Sequence, residues 1–175
     1  MRRSWIVFVS LSCLVEPLAA QPVLSFQQLP SEVRQHAAEV REACKEYDSD
    51  FKVDNDMMGI EFLSLKGDGA RDIFVDNKGL CGRHWAGANC SNRGCDLRIY
   101  KEVSPGEWRK VFEEHLHEKY LTIDYEKMRL QLIVATISAS DPRCKPDPDK
   151  MYSSGLSCNL LVTYTDNGWN WQKIP

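Results

Sequence analysis

The chain has 175 residues, 43% of them hydrophobic and 27% charged, with a formal net charge of −3. That is enough for one domain with a real core, and it excludes disorder, collagen and a long coiled coil. The slight acidity argues against a nucleic-acid partner held by bulk positive charge.

The chain opens on Arg2 and Arg3, followed by the apolar stretch Trp5–Val15, which Pro17 ends ahead of Leu18-Ala19-Ala20. The stretch is short of the roughly 20 residues a spanning helix needs, and small residues follow it, so residues 1–20 read as a secretory signal peptide cleaved after Ala20. A chain so processed keeps no membrane span and is periplasmic or secreted. Of the 7 cysteines, Cys13 leaves with the leader, while Cys44, Cys81, Cys90, Cys95, Cys144 and Cys158 stay. An even number in an oxidising compartment reads as disulfides. Six cysteines allow fifteen pairings; the expected set is Cys44–Cys81, Cys90–Cys95 and Cys144–Cys158, with Cys81–Cys95 as the rival.

Residues 21–175 read as a single domain. Its first element is a helix over 30–47, with Pro30 in the first turn and an apolar stripe of Val33, Ala37, Val40, Cys44 and Tyr47. From residue 59 the pattern changes to alternating β-branched and aromatic residues separated by turns. Strands are expected at 60–65, 73–75, 95–103 and 108–112, and again at 120–125, 129–138, 159–165 and 169–174. A shift of 63 residues places Cys95 on Cys158, Leu97 on Leu160, Ile99 on Val162 and Trp108 on Trp171. The expected fold is therefore mainly β, bordering on α+β. It consists of two four-stranded antiparallel meander repeats (59–117 and 119–175) plus the N-terminal amphipathic helix, stapled by disulfides.

The segment Ser64-Leu65-Lys66-Gly67-Asp68-Gly69-Ala70-Arg71-Asp72 precedes the apolar Ile73-Phe74-Val75. It is similar to the calcium loop of FG-GAP and VCBS-type repeats, D-x-N-x-D-G-x-x-D followed by a strand. Calcium takes about six to eight oxygens. Of the positions that match, only Asp68 and Asp72 carry a carboxylate; Ser64 and Lys66 fill the others. A metal-free turn is expected, with the Lys66 ammonium between Asp68 and Asp72. The succession of leader, LPxEV helix, GDGxxD turn, CSNRGC segment and Trp-rich last hairpin also resembles a group of uncharacterised proteobacterial periplasmic proteins. That resemblance implies export and architecture, and no activity.

His115 and His117 form H-x-H, but two ligands do not make a metal site. The sequence holds no G-x-S-x-G, P-loop or H-E-x-x-H motif, and disulfides would occupy the thiols. No cofactor is expected. Two long loops, 78–94 and 139–157, fill the same slot in each proposed repeat, and long loops in compact domains are often functional. They supply the binding candidates Arg83, His84, Trp85, Arg93, Arg143 and Tyr152. A disulfide-bounded loop offering Trp beside Arg suits a binding hot spot. The expected function is non-enzymatic binding or a structural role, with an envelope protein or glycan as partner. One alternative is an inhibitor of a cell-wall hydrolase such as lysozyme. Another is a hydrolase with a carboxylate pair distant in the chain.

Overall fold

The computed structural model describes residues 24–87, 90, 94–116, 118–124, 129–138, 141–144 and 157–174, with the side chains of 85–87, 118–124, 129, 131–138 and 157 left aside. The leader and its cleavage point, Arg93, His117, Tyr152 and the Trp85 side chain lie outside this description.

A 3-10 turn at Phe26–Gln28 leads into helix α1, Ser31–Tyr47. Pro30 stands one position before the helix with extended ψ, and its carbonyl accepts the Arg34 N–H at 3.1 Å. The buried stripe is Val33, His36, Ala37, Val40 and Cys44. It departs from the expected stripe at the C-terminal end and by the inclusion of His36. Tyr47 is 67% exposed, and the next buried place belongs to Phe51 beyond the helix. His36 is buried because its Nε2 meets Asn77 Oδ1 at 2.8 Å, which satisfies the ring inside the core.

Among the described residues, eight strands form two antiparallel sheets. The first contains β1 (Ile60–Leu63), β2 (Asp72–Asp76), β3 (Cys95–Ser104) and β4 (Glu107–Leu116), hydrogen-bonded in that order. The second contains β5 (Glu118–Asp124), β6 (Arg129–Ser138), β7 (Ser157–Thr165) and β8 (Gly168–Lys173), also in chain order. Strand ends differ from the expected ones by a few residues; β4 is longer, since the bulge opposite Ile99 and Tyr100 lets the ladder continue to Leu116.

The first sheet is covered on both faces, and period-2 alternation in β2 shows how. Ile73 and Val75 face α1 and join Val33, Ala37, Val40 and Cys44 in one core. Phe74, between them, joins Leu97, Ile99, Phe112, Leu160 and Val162 in a second core between the sheets. The result is three layers, helix on sheet on sheet, with the first sheet in the middle. Among the described residues no helix is long and apolar enough to cross a membrane.

The offset of 63 residues does not run through both last hairpins. Ser104 faces Glu107 and Thr165 faces Gly168, so the turns stand 61 residues apart while Cys95 and Cys158 stand 63 apart. Relative to its turn, Trp108 is level with Trp169 rather than with Trp171. A bulge between Glu102 and Ser104 takes up one of the two residues.

The loop at 78–94 is partly helical. Strand β2 passes straight into α2, Asn77–Cys81, whose N-cap Asp76 accepts the Lys78 N–H at 3.2 Å. A 3-10 segment, Gly82–Gly87, follows at once. Three disulfides close the structure: Cys44–Cys81 between α1 and α2, Cys90–Cys95 before β3, and Cys144–Cys158 onto β7.

Candidate functional site

Helix α1 ends at Tyr47, and Asp48 caps it, its N–H donating to Cys44 O at 2.9 Å. A carboxylate here opposes the helix dipole, which favours cations at this end, so it needs other partners. Asp48 Oδ1 accepts the Asp50 N–H at 2.9 Å, and Oδ2 lies 2.6 Å from His84 Nδ1. The Asp50 N–H, then His84, hold the Asp48 carboxyl below its ordinary range.

His84 is brought there from a distant part of the chain. Helix α2 ends at Cys81, and Gly82 turns the backbone at φ 53°, a left-handed conformation that glycine accepts readily. The Cys44–Cys81 bridge ties the two helix ends together. Phe51 meets the His84 ring edge-on, with centroids 5.8 Å apart. Arg83 Nε donates to His84 Nε2 at 3.0 Å. Since Nε2 accepts, the ring proton sits on Nδ1 and is donated to Asp48. The chain Asp48–His84–Arg83 thus fixes the root of the Arg83 guanidinium. Its two terminal nitrogens have no hydrogen-bond partner among the described residues.

These groups border a cleft of about 660 Å³ whose walls include Asp50, Lys52, Asp54, Met58, Arg83 and His84. Its floor segment is anchored by Arg41 on α1, whose Nη2 donates to the carbonyls of Asp56 at 2.7 Å and Met58 at 3.1 Å. The side chains of Asp50, Lys52 and Asp54 are exposed and form no ion pair among the described residues. The lining is polar, with acidic and basic groups side by side. Such a cleft can recognise charged groups. Both ring nitrogens of His84 are engaged, by Arg83 and by Asp48. The Cys81 sulfur in the cleft wall belongs to a disulfide.

The other expected positions fall elsewhere. Arg143 is half-buried and fully engaged: it donates to both oxygens of Glu114 at 2.9 and 3.3 Å, holds Asp141 at 3.0 and 2.9 Å, and lies 4.2 Å over the Trp171 ring. It clamps the 3-10 turn Pro142–Cys144 to β4 and β8, far in role from a free binding group. His115 pairs with Asp96 across β3 and β4 at 2.7 Å.

The calcium-like turn is arranged differently from expectation. Asp72 is fully buried and accepts the Leu65 N–H at 2.8 Å and the Glu102 N–H at 2.9 Å. The ammonium that approaches Asp68 and Asp72 is that of Lys101, at 3.9 and 3.6 Å. Lys66 instead pairs with Asp166 of the other sheet. The reason is reach: Lys101 on β3 lies beside Glu102, whose backbone Asp72 already holds, whereas Lys66 leaves the turn toward the second sheet. Both ammonium groups also lie near the Tyr164 ring, at 5.8 and 5.9 Å. Among the described residues no group of three or more His, Cys, Asp or Glu is placed to hold a metal ion.

Of the six expected binding residues, Arg83 and His84 therefore share the cleft. Missing from the sequence reading were Asp48, Asp50, Lys52 and Asp54. The signal was present in Asp48-Ser49-Asp50, an acidic run directly after a helix C-terminus, where basic residues are the rule.

No family model matches the chain, and no curated protein or solved structure matches it.

Proposed function

We propose that this protein is a non-enzymatic binding protein exported to the periplasm, and that it takes its ligand in the cleft at the C-terminal ends of α1 and α2. The observation that supports this most is Arg83. Its guanidinium is oriented by His84 and Asp48 while its terminal nitrogens have no hydrogen-bond partner among the described residues, as a preorganised binding group needs. The disulfide that joins the two helix ends lowers the ordering cost on binding. Three disulfides accord with an oxidising compartment, and the leader at 1–20 accords with export. The polar lining suits an envelope glycan or an exposed protein segment rather than an apolar ligand. We read the two meanders, identical in strand order, as an internal duplication in which only the first copy carries the cleft.

Retention of the disulfide-intact protein on isolated envelope material tests this reading. Arg83→Gln is expected to lower retention about tenfold, the loss of one charge-assisted bidentate contact. Equal retention of wild type and variant would remove the cleft from consideration.

The same guanidinium favours a second reading, inhibition of a cell-wall hydrolase. A glycoside hydrolase works with two carboxylates in a cleft, and an exposed Arg83 held from behind could enter one. A lysozyme assay with wild type and Arg83→Gln separates the two: unchanged lysozyme activity in excess protein leaves only the first reading.

A further inference from the structure

The charges of the cleft narrow its ligand, if the binding reading above holds. Two carboxylates, Asp50 and Asp54, and two cations, Lys52 and Arg83, are among the residues that line the cleft. Both ring nitrogens of His84 are engaged, Nε2 by the Arg83 N–H and Nδ1 by Asp48. Among the described residues these four charges balance, two of each sign. A purely anionic ligand such as phosphate would meet Asp50 and Asp54, and a purely cationic one would meet Lys52 and Arg83; like charges brought together disfavour both. The complement of such a lining is a molecule that carries one charge of each sign. Its anion must suit a planar fork of N–H donors, which describes a carboxylate on Arg83. Its cation must donate hydrogen bonds to carboxylates, which a primary ammonium does and a quaternary one cannot. Quaternary ammonium recognition uses aromatic cages, and among the described lining residues the only ring is the His84 imidazole. A volume of about 660 Å³ lies within the range of pockets that take ligands larger than one amino acid.

We propose that the cleft binds a short peptide with free termini, its carboxylate on Arg83 and its ammonium on Asp50 and Asp54. Lys52 broadens the positive side without fixing a direction, since an ammonium acts as a point charge. Peptides of this kind are present wherever envelope polymers and proteins are degraded.

The test is an NMR titration of the full, disulfide-intact protein with four probes: trialanine, N-acetyl-trialanine, trialanine amide and inorganic phosphate. Trialanine is expected to shift the amide signals of Asp50, Arg83 and His84, and each cap to weaken binding at least about tenfold. Arg83→Gln should lose affinity for trialanine but change little toward the amide, whose carboxylate is already gone. The Asp50→Asn/Asp54→Asn pair should behave likewise toward the N-acetyl peptide. Capped and free peptides binding equally, or phosphate binding as well as trialanine, would overturn the proposal. If no peptide binds while envelope material is retained in an Arg83-dependent way, the ligand class is wrong and the cleft stands. If Arg83→Gln alters neither, the binding reading fails with it. All three substitutions change exposed side chains, and an unchanged dispersion of the core amide signals checks that both variants fold.

Discussion

Asp72 is the residue on which the first sheet's turn depends. Its carboxylate is buried, takes two backbone N–H groups from opposite sides, and faces the Lys101 ammonium, itself only 13% exposed. Removing one member of such a set leaves the others buried and unsatisfied. Asp72→Ala is therefore expected to destabilise the protein by roughly 3–5 kcal/mol, read from the shift in a urea unfolding midpoint. Lys66→Ala, which breaks a pair whose Asp166 side is 91% exposed, should shift that midpoint far less, because solvent screens an exposed pair. The reverse order would mean that Lys66, as the sequence alone suggests, is the ammonium that neutralises the turn. The two lysines illustrate where sequence reading stops. Both stand close to the GDG turn or its partner strand, and only the pairing of β2 with β3 decides which one reaches Asp72.

At the scale of elements, the strands were largely legible and the helix α2 was not. Strands such as β2 and β3 announce themselves by alternation and β-branched residues, because each is pinned between two apolar layers. Helix α2 has five residues with Gly79 among them, too few to show a period and with a residue that disfavours helix. It is held by packing against α1, with the Cys44–Cys81 bridge, and by a close approach to Gly59 just before β1. Gly59 sits there at φ 78°, and a Cβ added to it would stand 2.2 Å from the Leu80 backbone nitrogen. Gly79 is equally confined, its added Cβ 2.8 Å from Gly59 Cα. Gly59→Ala must both adopt a strained backbone and push α2 away. A loss of roughly 2–4 kcal/mol is expected. Faster hydrogen exchange at α2 amides should accompany it, while β7 keeps its protection. A variant as stable as wild type would show that α2 can shift at little cost. Such a shift would carry Arg83 with it, so this contact also positions the cleft.

For the whole molecule, the three bridges differ in what they hold. Cys44–Cys81 closes 37 residues between the ends of α1 and α2, whereas Cys90–Cys95 closes only 5. In the loop-entropy picture the first contributes about 4 kcal/mol and the second about 2 kcal/mol. Replacing Cys44 and Cys81 together by Ala should thus lower the melting temperature by roughly 10 °C, about twice the effect of replacing Cys90 and Cys95. It should also abolish Arg83-dependent binding before the sheets unfold, because the bridge joins the two helix ends that meet in the cleft. Equal losses for both pairs, with binding intact, would mean that the cleft is held by packing alone.

The sequence by itself determined the elements and their chemistry: an amphipathic helix, strands separated by Gly- and Pro-bearing turns, paired cysteines and a disulfide-bounded loop with Arg83 and His84. Those features are local, since period, turn residues and composition act over a few positions. Only the tertiary structure decided that the first sheet lies between the helix and the second sheet, that Lys101 faces Asp72, and that Asp48 meets His84. Each of these brings together groups about 30 or more residues apart. Which distant groups meet is set by the burial of both faces of one sheet, a property of the packed whole that no short stretch of sequence displays.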